Sequence, residues 1–233
     1  MEAHRNSRYI PLASRATWAK GLLLLAGAVD IVAVLTGFAL YRLADKAPSG
    51  TVTSAQFQAA QDRHDLVVLI QMAVYVAAGV VFIRWFHRAY ANLPAVGIQG
   101  LGRRTGWAIG AWFVPIASLF WPKQIADEIW RGSDPSLEPD QSDGWRRGRV
   151  PSFFGLWWLA FIGSGLLVGG GSQLWDSAET FSQLELAAVV QVVGDLFGVL
   201  SGVLAYVVVD RTSERQQARA TKLATWRPLL PQT

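Results

Sequence analysis

Five stretches of this chain are apolar over long runs, and that pattern constrains the fold more than any motif does. They occupy residues 21–40, 66–86, 106–122, 153–171 and 184–209. An α-helix rises about 1.5 Å per residue, so crossing roughly 30 Å of hydrocarbon takes about 20 mostly apolar residues. A soluble domain has no use for several such blocks. With 52% of its 233 residues hydrophobic and only 16% charged, the chain departs from soluble averages in the same direction. The expected fold is all-α, a polytopic membrane helical bundle.

The number of crossings follows from the charges. The third block, GWAIGAWFVPIASLFWP from Gly106 to Pro122, is short and interrupted by Pro115. If all five blocks crossed, the loop after Pro122 and the segment after Asp210 would lie outside, although each carries five basic residues. That opposes the positive-inside tendency twice. If the third block instead re-enters or lies along the interface, the cytoplasmic segments hold 18 basic and 9 acidic residues and the external ones 3 and 6. Four crossings are therefore expected, at about 21–41, 66–86, 153–172 and 184–209, with a re-entrant or interfacial segment over 106–132. Residues 1–20 and 210–233 are basic tails, both cytoplasmic. The first block follows Arg5, Arg8, Arg15 and Lys20 as a signal peptide would, but it is too long and lacks a convincing cleavage site, so it reads as a retained anchor.

Beyond Pro122 the pattern becomes amphipathic. Ile125 and Ile129 share a face, Lys123, Asp127, Glu128 and Arg131 are polar, and Gly132 to Pro135 stop the helix. Trp18, Trp85, Trp107, Trp121, Trp130, Trp145 and Trp226 fall near cytoplasmic block ends or on the in-plane segment, and Trp175 marks the outer face, as interfacial rings prefer. The segment 44–65 between the first two blocks is polar, with a short helix from Ser54.

Chemistry is sparse. The chain has no cysteine, which excludes disulfides and thiolate sites, and His4, His64 and His87 show no metal-ligand spacing. No phosphate-binding loop, nucleophile elbow or zinc-protease helix occurs, so neither cofactor, metal nor catalytic residue is expected. The positive charge orients the chain and is no sign of nucleic-acid binding.

Polar residues inside the crossings stand out instead. Asp30 and Asp195 lie near the middles of the first and last crossings, where an ionised carboxylate costs about 3 kcal/mol and must face the bundle, pair or be protonated. The two helices share a local pattern, Asp30 with Val34, Leu35, Gly37 and Tyr41 against Asp195 with Val199, Leu200, Gly202 and Tyr206. Running in opposite directions, they would bring the acids to one depth, as inverted repeats do in transporters; the other helices show no matching repeat. Each Asp reads either as hydrogen-bonded glue or, with Gln71 or Gln191, as part of an ion path. Gly194, Gly198 and Gly202, and likewise Gly106 and Gly110, recur every four residues and suit close helix packing within or between subunits. Arg84, His87, Arg88 and Tyr90, with Arg103 and Arg104, form a basic cluster suited to anionic headgroups or a cytoplasmic partner, or to pairing with Asp127 and Glu128.

RWFHRAYANLP from Arg84 to Pro94, Gly106-Trp107, WFVPIA from Trp112, and Pro122 leading to Glu128, Trp130, Arg131 and the Ser133 to Pro135 stop resemble a family of bacterial membrane proteins, the domain of unknown function numbered 4328 in its series. Ser118 and Phe120 depart from that pattern, where more polar residues are expected. The resemblance implies a membrane domain and supplies no catalytic residues.

Function is therefore expected to be that of a multi-pass protein of the bacterial cytoplasmic (inner) membrane. It reads first as an interaction or scaffold module touching anionic lipid headgroups, a second copy of itself or a cytoplasmic protein. A small transporter or channel using Asp30 and Asp195 is the alternative, with an enzyme third.

Overall fold

The computed structural model describes residues 8–138 and 144–226, the side chain of Trp226 excepted; His4 and Arg5 lie outside the described residues. Of the chain, 81% is helical, and no strand occurs among the described residues. The helices are α1 (Ala13–Lys46), α2 (Ser54–Ala91), α3 (Trp107–Gly110), α4 (Ala117–Gly132), α5 (Ser152–Asp176) and α6 (Phe181–Trp226). Four of them, α1, α2, α5 and α6, are long and apolar enough to cross a membrane. The third apolar block is not such a helix, in keeping with the count that the charges select.

The long helices run past the limits of their apolar blocks. Hydropathy marks where a helix meets lipid, whereas the helix itself ends only where its hydrogen-bond ladder is broken or capped. α1 stops before a 3₁₀ turn containing Pro48 and closed by Gly50 at φ +71°. α2 takes in the polar residues from Ser54 onward because a capping box starts it. The Thr53 hydroxyl accepts the Gln56 N–H at 3.2 Å, and the Gln56 side chain accepts the Thr53 N–H at 3.0 Å. Thr180 and Gln183 repeat this device before α6, at 3.3 and 3.1 Å. α6 then runs 46 residues, through the segment expected as a basic tail.

Residues 106–132 form two helical pieces. Between α3 and α4 the path breaks at Pro115 and at Ile116, whose φ of +31° is the one positive value at a non-glycine among the described residues. A β-branched side chain there carries strain on the order of 1–3 kcal/mol. α4 buries Ile125, Ala126 and Ile129 on one face, as its pattern requires.

The chain divides into two compact units. The first gathers the described residues of Met1–Gly21, Gly79–Gly155 and Tyr206–Thr233. Its core is large and aromatic, with Trp85, Phe86, Tyr90, Trp145 and Phe154 beside Leu93, Ile98, Ile125 and Ile129. Some polar groups buried within it are well matched, whereas Arg88 Nε, Arg131 Nε and Thr212 Oγ1 are buried without a hydrogen bond. Gln216 donates to the Ala89 carbonyl at 3.0 Å and to Ser133 at 3.1 Å, and accepts from Asn92 at 3.0 Å. Arg219 donates to the Val96 and Asp134 carbonyls at 2.9 and 2.7 Å.

The second unit gathers Leu22–Ala78 and Leu156–Ala205. Its buried residues are mostly small, among them Ala26, Ala33, Ala60, Ala187 and Ala188. Small residues let helix backbones approach closely where no hydrophobic effect drives association in lipid.

Candidate functional site

Three of the buried polar side chains of the second unit form one cluster. Asp30 from α1, Gln71 from α2 and Asp195 from α6 are 1%, 6% and 4% exposed. The Gln71 amide nitrogen donates to both acids, to Asp30 Oδ1 at 2.9 Å and to Asp195 Oδ1 at 3.0 Å. Tyr75, one turn along α2, donates its hydroxyl to the same Asp30 oxygen at 2.6 Å. Two carboxylates are thus joined through a single nitrogen.

Glycine makes the approach possible. A Cβ at Gly198 would stand 2.8 Å from Asp30 Oδ2 and 3.0 Å from the Tyr75 hydroxyl, and one at Gly194 only 2.9 Å from the Val168 backbone nitrogen. Any side chain at Gly198 would displace the acid, and any at Gly194 would push α5 and α6 apart. Gly202 is looser, with the Leu23 carbonyl 3.5 Å from its would-be Cβ. Gly106 meets nothing within 4 Å and Gly110 meets only Trp107 of its own turn, so those two mediate no helix contact within the chain.

What is absent beside the acids matters as much. The second unit contains Arg42, Lys46 and Arg63, and among the described residues none of them makes an ion pair. An amide and a phenol are the donors the acids receive. Neither can neutralise charge. Among the described residues no group of three or more His, Asp or Glu gathers as metal ligands.

A second polar group lies in the same unit. His64, on α2 and 6% exposed, has Nδ1 2.9 Å from the Thr36 hydroxyl of α1. Gln191 of α6 lies near the ring. The sequence analysis offered Gln71 or Gln191 beside the acids, and Gln71 is the one that bonds them. Tyr75 was missed because an aromatic residue in an apolar block reads as lipid-facing. Its signal was the four-residue step from Gln71.

The basic cluster belongs to the first unit and separates into engaged and free members. Tyr90 is buried, donating to Glu128 at 2.8 Å and accepting the Arg103 N–H at 3.3 Å, so it is not offered to a headgroup. Arg103 bonds Gln124 and lies 4.6 Å over the Trp121 ring. The pairing of Asp127 and Glu128 with the arginines is not made. Asp127 takes Lys123 one turn away at 2.6 Å, and Glu128 is held by Tyr90 and the Gly102 N–H. His87 and Arg88 are half-buried, while Arg84 and Arg104 are exposed.

Elsewhere in that unit Asp134 receives Arg215 at 2.5 Å. Burial pushes its carboxyl upward, but hydrogen bonds from the Ser136 hydroxyl and N–H and the charges of Arg215 and Arg219 outweigh that and hold it below the ordinary carboxylate range.

Among curated proteins and among solved structures, no match to the chain was found. One family model does match, over residues 49–214, a span that takes in α2 through most of α6 and therefore both Gln71 and Asp195. By that match the chain belongs to the family described as Domain of unknown function (DUF4328).

Proposed function

We propose that this is a small proton-handling transport protein of the bacterial cytoplasmic membrane, in which the Asp30 and Asp195 pair takes up and releases a proton within the bilayer. The observation that carries this reading is the single Gln71 nitrogen donating to both buried carboxylates with no cation beside them. Two anions in that setting repel each other and lack solvation, so the pair holds a proton on one member. Asp30 Oδ1 already accepts from the Gln71 amide and the Tyr75 hydroxyl, which favours a proton over a metal cation as the species handled. Four spanning helices put both tails on one side, and the 18 basic residues assigned to that side mark it as cytoplasmic.

Asparagine separates transport from glue, because it keeps an oxygen for Gln71 and Tyr75 but cannot titrate. In liposomes containing the purified protein and a trapped pH-sensitive dye, an imposed pH difference should decay much faster than in protein-free liposomes. Asp30→Asn and Asp195→Asn should each slow that decay at least tenfold while leaving helicity unchanged. Asparagine variants as fast as the parent, or a parent no faster than bare lipid, would remove the proposal.

A second reading concerns the first unit. Arg84 and Arg104 are exposed, and their side chains make no hydrogen bond or ion pair among the described residues, which suits contact with anionic headgroups at about 1 kcal/mol per charge. Sedimentation with anionic against neutral liposomes, for the parent and for Arg84→Gln with Arg104→Gln, tests it. Equal partition of parent and variant would discard it.

A further inference from the structure

The carboxylate pair uses Tyr75 and Gln71 but leaves a buried histidine unexplained. We infer that His64, held between Thr36 and Gln191, is a second proton-binding station of the second unit, through which protons reach Asp195 and Asp30; this rests on the proton-handling reading above.

Placement carries the argument. His64 precedes Gln71 by seven residues on the buried stripe of α2, two turns or about 10 Å. Gln191 precedes Asp195 by four residues on α6, one turn or about 6 Å. On α1, Thr36 follows Asp30 by six residues. The three helices that form the carboxylate cluster therefore also form the histidine cluster, each with a short step between them.

The local hydrogen bonding fits a group that gains and loses a proton. The Thr36 hydroxyl donates to the Val32 or Ala33 carbonyl, 3.1 Å from each, so its oxygen accepts Nδ1–H of the ring. That assignment leaves Nε2 as the basic nitrogen, with Gln191 near enough to serve it. A Gln amide serves either protonation state by turning over. Its NH2 donates to bare Nε2, and its carbonyl accepts once Nε2 carries a proton. Loss of the proton from Nε2 to water restores neutral imidazole, and water passing a proton on to a carboxylate oxygen gives a neutral acid.

Packing keeps this group in place. A Cβ at Gly37 would meet Val192 at 3.0 Å and the His64 ring at 3.6 Å, and a Cβ at Gly171 would stand 3.1 Å from the Gln191 backbone nitrogen. Glycine at those positions lets α1 and α5 close on the His64 and Gln191 pair. The charge acting on the ring is Asp65, adjacent on α2; α1 presents Thr36 and α6 presents Gln191, neither of which titrates.

The test uses the full-length protein in dye-loaded liposomes, measuring proton flux from pH 5 to 8. His64→Gln keeps hydrogen bonding without a titrating ring, and should cut flux at least tenfold and abolish the step in the pH profile near the histidine range. Thr36→Val keeps the ring but removes its Nδ1 partner, and should shift that step while retaining part of the flux. If Asp195→Asn stops flux but His64→Gln leaves both rate and pH profile unchanged, this inference fails and the carboxylate reading stands. If the parent conducts no protons, both fail.

Discussion

The two units bury polar groups in different settings. In the first, aromatic and branched side chains fill the core, and two buried polar residues are closely partnered, Gln216 by Ala89, Ser133 and Asn92 and Arg219 by three carbonyls, while Arg88 Nε, Arg131 Nε and Thr212 Oγ1 stay without a hydrogen bond. In the second, alanines and glycines bring helices together around two acids that share one amide nitrogen and have no cation. Satisfied networks rigidify a fold. A pair of acids without a paired Lys or Arg is the feature on which the proton-handling proposal rests, and that proposal places activity in the second unit.

The largest expected effect comes from breaking the satisfied side. Arg219→Met should strand the Val96 and Asp134 carbonyls and lower unfolding stability by about 2–4 kcal/mol, read as a thermal shift in detergent, because buried groups left unpaired lose their full desolvation cost. An unchanged transition would show that the network is not structural. Gly198→Ala comes next. Its methyl would press on Asp30 and Tyr75, costing about 1–3 kcal/mol and slowing proton flux, whereas full flux would mean that the acid has room to move.

Smaller still should be Asp195→Asn, which preserves the hydrogen bond and should alter stability by less than about 1 kcal/mol while abolishing flux. That split between stability and activity would invert for Arg219. The smallest effect concerns Asp134. Its folded carboxyl titrates below the unfolded value, so the stability it adds is complete above the ordinary carboxylate range and is lost as pH falls through the depressed value. The stability gap between the parent and Asp134→Asn should therefore be present at pH 7 and vanish in strong acid. A gap that widens in acid would reverse the sign.

Much of the second unit was legible in the sequence. Asp30 and Asp195 stood out because ionisable residues at mid-crossing are costly, and the local likeness of their helices pointed to a common depth, where Gln71 does join them. His64 was not legible, since a helix extended by a capping box carried it out of what hydropathy marks as a loop; its seven-residue step to Gln71 was the signal available. In the first unit the polar end of α6 read as a solvated tail. Yet Thr212, Gln216 and Arg219 continue the buried stripe of Ala205 and Val209 at helical spacing, and they are buried because α6 runs on beside α4 rather than into water. Charge placement gave the four crossings, but it could not show that Asp127 and Glu128 would bond Lys123 and Tyr90, because those contacts depend on tertiary packing.

The most direct test is infrared spectroscopy of the carboxyl C=O stretch in the lipid-reconstituted protein at neutral pH. A protonated carboxyl band should be present in the parent, lost or shifted in both Asp30→Asn and Asp195→Asn, and unaffected by Asp134→Asn. A parent without such a band, or a band indifferent to both substitutions in the second unit, would contradict the claim that the pair holds a proton.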